Sequence, residues 1–262
     1  MKAISSRDNP LYKELKQLAT SSQARRKVGR SLLDGVHLCQ TYLDQVGKPP
    51  FCVASETAMS NPEVVNIVQA CEAAHVKCIA LADSLYEGIS QVEHGVGLMF
   101  VVDTPLVHPP AVLTESAVLL DGLQDPGNLG SILRSAAAAG IRHVICSKGT
   151  VFSWSPKVLR AGMGAHFALQ VAENIDLVPL IRLSRIPVLA TSSHASRRLY
   201  DVDLHKPVAW LFGHEGQGVS EELLGLATDT VSIPHLGPVE SLNVAASAAV
   251  CLFEQVRQRT AR

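Results

Sequence analysis

The sequence predicts an α/β protein with a largely parallel sheet. Short apolar runs recur along the chain and alternate with segments whose apolar residues fall at helical spacing. Gly, Pro, Asn and Ser punctuate the junctions between them. Apolar residues make up 47% of the 262 positions and charged residues 18%, which supplies a sizeable core and excludes wholesale disorder.

Each element has its own signal. Residues 9–20 open on Asn-Pro and carry Leu11, Leu15 and Leu18 at helical spacing, a short amphipathic helix. RRKVGRSLLDGVHLCQTYLDQ (25–45) reads as an apolar-periodic helix behind a basic approach. FCVAS and KCIALA read as strands around a capped helix, NPEVVNIVQACEAAH. SLYEGIS is another short helix and GVGLMFVVD a buried strand. TPLVHPPAVLTES (104–116) collects Pro105, Pro109, Pro110 and Ser116 and reads as a linker between two domains. Beyond it, AVLLDGL, HVICS, PVLATSS, VAWLFGHE and DTVSIPH read as strands. GNLGSILRSAAAAG, ended by Gly140, SPKVLRAGMGAH and VSEELLGLA read as helices, and SLNVAASAAVCLFEQVRQR (from 241) as a long terminal one.

The formal net charge of −1 excludes a uniformly basic nucleic-acid coat. The charge is nevertheless segregated. Residues 1–31 hold eight Lys/Arg against two acids, residues 32–116 two against ten, and the rest is close to balanced. A basic N-terminal stretch suggests an anionic partner, or else only a solvated helix start. Six cysteines without C-x-x-C spacing, mostly in apolar runs, suit small buried hydrophobes in a reducing compartment. MKAISSRDNPLYKELK lacks the apolar core of a signal peptide, and no apolar run is long enough to span a membrane. These features predict a cytoplasmic protein with no membrane association. No His/Cys pattern suggests a metal, and no G-x-S-x-G elbow appears.

In open α/β sheets ligands bind at the carboxyl ends of the strands. Four strand–helix junctions there are unusual. In LLDGLQDPGNLGSILR, Asn128 sits at a helix start whose amides favour anions, and Arg134 lies about 9 Å further along the axis. The two converge on one ligand, or are an N-cap and a surface Arg. WLFGHEGQGVSEEL crowds Gly213, Gly216 and Gly218 around Glu215, which lets a ligand touch backbone; the order is not the dinucleotide fingerprint. SIPHLGPVESLNVAAS places Ser241 and Asn243 at a helix mouth, with Ser241 as an N-cap the plainer reading. SPKVLRAGMGAH sets Lys157 and Arg160 beside Gly162 and Gly164, a phosphate-facing loop or an ordinary helix end.

Taken in order, DPGNLGSILR, LFGHEGQGVS and IPHLGPVESLNVAASAA resemble the three motifs of the SpoU/TrmH family of RNA ribose 2′-O-methyltransferases, in the SPOUT class, over residues 116–259. RRKVGRSLLDG and GVGLMFVVD resemble, more loosely, the small α/β substrate-binding module, similar to a ribosomal RNA-binding protein, often fused ahead of it. The resemblance implies a C-terminal α/β domain with a deep trefoil knot (117–262), a linker (104–116), an RNA-binding domain (25–103) and a basic N-terminal helix or arm (1–24). It implies S-adenosylmethionine as cofactor, a homodimer, no metal, and structured RNA as substrate, 23S ribosomal RNA rather than transfer RNA. A non-catalytic assembly factor on the same fold is the other alternative. Carried over position by position, Asn128, Arg134, Glu215, Ser241 and Asn243 form the catalytic set, while Gly213, Ile233 and Leu242 contact the cofactor. A neutral Arg134 at pH 7 costs about 8 kcal/mol, so its expected role is to grip a phosphate and stabilise a developing alkoxide.

Overall fold

The structure, a computed structural model, describes residues 1–92 and 95–261. In chain order the first elements are β1 (Lys2–Ile4), α1 (Pro10–Thr20), α2 (Ser22–Val28), β2 (Arg30–Asp34), α3 (Val36–Gln45), β3 (Phe51–Ser55), α4 (Pro62–Ala73), β4 (Lys77–Leu81), α5 (Asp83–Glu87) and β5 (Leu98–Asp103). Then come β6 (Ala117–Leu120), α6 (Pro126–Ala138), β7 (His143–Ser147), α7 (Pro156–Gly162), β8 (Gln170–Ile175), α8 (Leu177–Arg182), β9 (Val188–Thr191), β10 (Arg197–Arg198), β11 (Ala209–Phe212), α9 (Glu221–Leu226), β12 (Asp229–Ser232) and α10 (Val244–Thr260). They form two compact units, one of Met1–Pro105 with Trp154–Phe167, the other of Leu106–Ser153 with Ala168–Arg262.

In the first unit the sheet order is β1-β4-β3-β5-β2, with β1, β4 and β3 parallel and β5 antiparallel to both its neighbours. Residues 1–20 are built into this unit. Ile4, Tyr12, Leu15 and Leu18 share its core with Leu32, Ile79 and Met99. Asn9 caps α1 by accepting the Leu11 amide at 3.0 Å, and Pro10 supplies the first helical position. Arg25 is buried, and its guanidinium donates to the carbonyls of Leu18 (2.6 Å) and Ala19 (3.3 Å), which α1 leaves unpaired at its end.

The helix expected over residues 25–45 is instead helix, strand and helix. Gly29 (φ 67°) ends α2 in the left-handed region, and Gly35 (φ 115°) separates β2 from α3. Between them Ser31, Leu32 and Leu33 are all buried, as in an inner strand, and β2 pairs antiparallel with β5 from Arg30–Asp103 to Asp34–Met99. Two glycines six residues apart outweigh a helical apolar period.

In the second unit the order is β10-β12-β9-β11-β6-β7-β8, and every pairing is parallel. AVLL of β6 and AWLF of β11 are buried at every position, the pattern of a sheet covered on both faces. The strand β8 has little signal in the sequence, being an edge strand diluted by Gln170, Glu173 and Asn174. The terminal helix begins at Val244 and not at Ser241, because Asn243 is its N-cap. All six cysteines are buried and free.

Candidate active site

Three strand exits build the site, those of β6, β11 and β12, at the carboxyl edge of the parallel sheet. The β6 exit leads into α6, whose N-cap is Asp125 and not Asn128. Its carboxylate accepts the Asn128 amide at 2.8 Å, with Pro126 at the first helical position. That leaves the Asn128 side chain free for other work.

Glu215, on the β11 exit, reaches the same place. Its Oε2 accepts the Gln124 amide at 3.1 Å, while its Oε1 accepts the Asp125 amide at 2.9 Å and Asn128 Nδ2 at 3.1 Å. Burial pushes this carboxyl up, but the backbone amides of Asp125, Glu215 and Gln124 and the Asn128 side chain outweigh it and hold the group below its ordinary value. The Glu215 carboxylate is thus an anchor for the start of α6, already occupied by donors, and not a free base.

The carboxylate fixes the orientation of two amides in turn. An ionised Glu215 only accepts, so Asn128 must turn its Nδ2 to it and its Oδ1 away. Asn128 Oδ1 then accepts Asn243 Nδ2 at 2.9 Å. Asn243 Oδ1 is left to cap α10, accepting the amides of Ala245 (2.9 Å) and Ala246 (3.2 Å). α6 packs against α10, which brings their N-termini together at this network.

A cavity of about 360 Å³ adjoins it, lined among others by Gly213, Glu215, Ile233, His235, Ser241 and Leu242. The three residues expected to contact the cofactor all face this cavity, and Glu215 belongs both to it and to the hydrogen-bonded network. Gly213 is required by close approach. A Cβ there would stand 2.0 Å from the carbonyl carbon of Gly218 and 2.1 Å from the Val219 nitrogen. The loop folds back through reciprocal bonds between His214 and Gly218, at 2.9 and 2.8 Å, with Gly218 at φ 72°. His214 Nδ1 accepts the amide of Gly216 at 3.0 Å. Asp121 holds the loop's far end by accepting the Ser220 amide at 3.0 Å.

Arg134 and Ser241 do not join the network. Arg134 is exposed on α6 and has no hydrogen bond or ion pair among the described residues; Ser241 is exposed at the cavity. Lys157 lies on α7, and Arg160 donates to the Gln91 carbonyl at 2.8 Å within the first unit. Sequence reasoning missed the anchoring by Asp121, Asp125 and His214. Only Asp125 had a signal, an acidic residue directly before Pro126.

The cavity suits S-adenosylmethionine. Its volume lies in the range of small-molecule sites, and its walls combine backbone-rich glycine turns with apolar Val231, Ile233 and Leu242. Of the residues lining it, His235 has a buried Nε2 with no hydrogen-bond partner among the described residues. No group of three His, Cys, Asp or Glu side chains among those residues could hold a metal ion.

Comparison with known proteins agrees with this geometry. Residues 115–253 match the model of the SpoU rRNA Methylase family. An uncharacterised tRNA/rRNA methyltransferase of Synechocystis is 35% identical, covering 99% of this chain and 95% of that one. The 23S rRNA (guanosine(2553)-2′-O)-methyltransferase of Bacillus subtilis is 28% identical over 97% of this chain and 98% of its own. The AdoMet-bound rRNA methyltransferase of Sinorhizobium meliloti superposes with a TM-score of 0.85 at 28% identity, covering 100% of this chain and 99% of that one. The three motifs, the parallel fold that carries them and these likenesses together place the chain in the SpoU rRNA methylase family.

Proposed function

We propose that this protein transfers the methyl group of S-adenosylmethionine to a ribose 2′-hydroxyl of structured RNA, with 23S ribosomal RNA as the substrate. The observation that carries the reading is the Glu215–Asn128–Asn243 network, which ties all three motifs together beside the cavity. Bound there, the cofactor supplies an electrophilic methyl on a sulfonium. Gly213, Ile233 and Leu242 hold it, largely through backbone. Arg134, exposed and without a partner among the described residues, grips an RNA phosphate and stabilises charge developing on the 2′-oxygen. Asn128 and Asn243, with their amides fixed in orientation, position the ribose or the Arg134 fork, and Ser241 lends its hydroxyl.

The finer parts belong to the same proposal. The deep trefoil knot is supported by the all-parallel order and the superposition on family structures. A homodimer is supported by exposed Leu236, Val239, Leu242 and Phe253 near and on α10; light scattering that gave a stable species near 28 kDa would remove it. The first unit supplies RNA affinity. A cytoplasmic location is supported by the RNA substrate, and no described helix is long and apolar enough to cross a membrane.

The test is tritium transfer from labelled S-adenosylmethionine to ribosomal RNA purified from a strain lacking the gene, followed by mapping of 2′-O-methyl sites. One new 2′-O-methyl nucleotide in 23S RNA is expected. Incorporation into transfer RNA alone, or none with wild-type protein that binds the cofactor, would overturn the reading.

A further inference from the structure

A second cavity, of about 580 Å³, is lined by residues of the first unit alone and shares none with the cavity at the strand exits. Its walls come from α3, α4 and α7, with Val96 ahead of β5. Val36, Ile67, Val96 and Met163 give it apolar faces, and Val96 (42%) and Met163 (39%) stay exposed. Apolar surface left open to water in a concave site fits a flat apolar ligand. Met163 ends α7 at φ 48°, the left-handed position that helices usually give to glycine. A side chain there costs backbone strain. This one is not buried in a core; it lines the cavity.

The polar groups of the cavity suit an anion and a base edge. Arg160, also on α7, donates one N–H to the Gln91 carbonyl at 2.8 Å, which holds the guanidinium in place. The rest of its fork has no hydrogen-bond partner among the described residues. No side chain caps α3, so its first-turn amides add donors at the same cavity. Two acids also line it. Asp34 is already occupied, accepting from Tyr86 (3.1 Å), Ser90 (2.6 Å) and the Gln91 amide (3.3 Å). Glu63 is exposed on α4 with Asn66, and the pair offers acceptors and a donor to a base edge.

Resting on the reading of the substrate as RNA, we propose that this cavity takes one unstacked nucleotide of that RNA, its base against Met163, Val96 and Ile67 and its phosphate on Arg160. A base held in a duplex has both faces covered and cannot enter, so the cavity selects a loop, bulge or single strand. The segment SPKVLRAGMGAH then has a role in recognition, through Arg160 and Met163, and none in the chemistry.

The experiment measures binding of the full chain to single-stranded poly(U) and to the poly(A)·poly(U) duplex by fluorescence anisotropy. Met163→Gly removes the apolar wall and relieves the left-handed strain. Arg160→Gln keeps a donor for the Gln91 carbonyl and removes the charge. Each should weaken poly(U) binding by about 10-fold, the scale of losing one stacked base, and Met163→Gly should leave the duplex affinity unchanged. Thermal melts should show Met163→Gly at least as stable as wild type, which a side chain kept only for packing would not allow. Wild-type poly(U) affinity in either variant, a duplex loss in Met163→Gly as large as the poly(U) loss, or a lower melting temperature for Met163→Gly would each overturn the proposal. Wild-type protein that methylates ribosomal RNA while both variants bind poly(U) normally would remove this proposal alone. Wild-type protein that neither binds nor methylates any RNA would remove the RNA reading and this proposal with it.

Discussion

Asn243 donates its side-chain amide to Asn128 Oδ1 at 2.9 Å, joining residues 115 positions apart in sequence. The same side chain caps α10 through its Oδ1. One residue therefore has two separable duties, helix capping and orientation of Asn128. Asn243→Asp keeps the capping oxygen and replaces the donor with a second acceptor, which faces Asn128 Oδ1. Thermal stability should stay near wild type, whereas Asn243→Ala should lose about 1 kcal/mol of capping. Methyl transfer should fall in both. Full turnover in Asn243→Asp would show that the Asn128 hydrogen bond is dispensable.

Glu215 carries a carboxyl held below its ordinary value, burial being outweighed by the amides it accepts. A depressed carboxyl contributes stability that is present above its unfolded pKa and lost as pH falls through the folded one. The melting-temperature advantage of wild type over Glu215→Gln should therefore be steady from neutrality down to about pH 4.3 and shrink below it. Thermal melts across that range test this, and an advantage that grows on acidification contradicts it.

Gly213→Ala would place a Cβ 2.0 Å from backbone that cannot yield like a flexible side chain. The loop from His214 to Val219 must shift, and the cavity wall with it. Binding of S-adenosylhomocysteine should fall by about 10-fold or more, equivalent to about 1.4 kcal/mol of binding free energy, while circular dichroism stays native. Unchanged calorimetric affinity would mean that this loop does not shape the cofactor site.

Arg134→Lys keeps the charge and loses the planar fork. Turnover should drop by roughly 10²-fold, the scale of removing one electrostatic stabiliser, while cofactor affinity hardly moves. Near-normal turnover would take Arg134 out of the mechanism. A parallel loss of cofactor binding would make its role structural.

Deleting the basic N-terminal stretch is a poor test of RNA binding, because Tyr12, Leu15 and Leu18 belong to the first unit's core and Arg25 is buried against α1. Charge reversal at exposed Lys16, Arg26 and Lys27 avoids that damage. RNA affinity should fall, and the slope of log affinity against log salt should flatten by about one for each phosphate that is no longer neutralised. An unchanged slope in filter binding would place RNA elsewhere.

By itself the sequence determined the α/β class, most of the strands of the second unit and the three motifs, because their signals are local. AVLL and AWLF are apolar throughout, DPGN and GHEGQG are turn chemistry, and each can be read within about ten residues. The family resemblance singled out Gly213, Ile233 and Leu242, and all three line one cavity. Where local signals competed, as at β2 between Gly29 and Gly35, or were diluted, as in β8, strand pairing decided the outcome. Tertiary structure alone decided the roles. Glu215 reads in the sequence only as a carboxylate among glycines, and it becomes an acceptor for α6 because strand exits far apart in sequence are adjacent in the sheet. Asn128 and Ser241 each looked like a cap, yet Asp125 and Asn243 do that work. A hydrogen bond spanning 115 residues has no sequence period, and a buried nitrogen such as His235 Nε2 is orphaned only once the walls around it have closed.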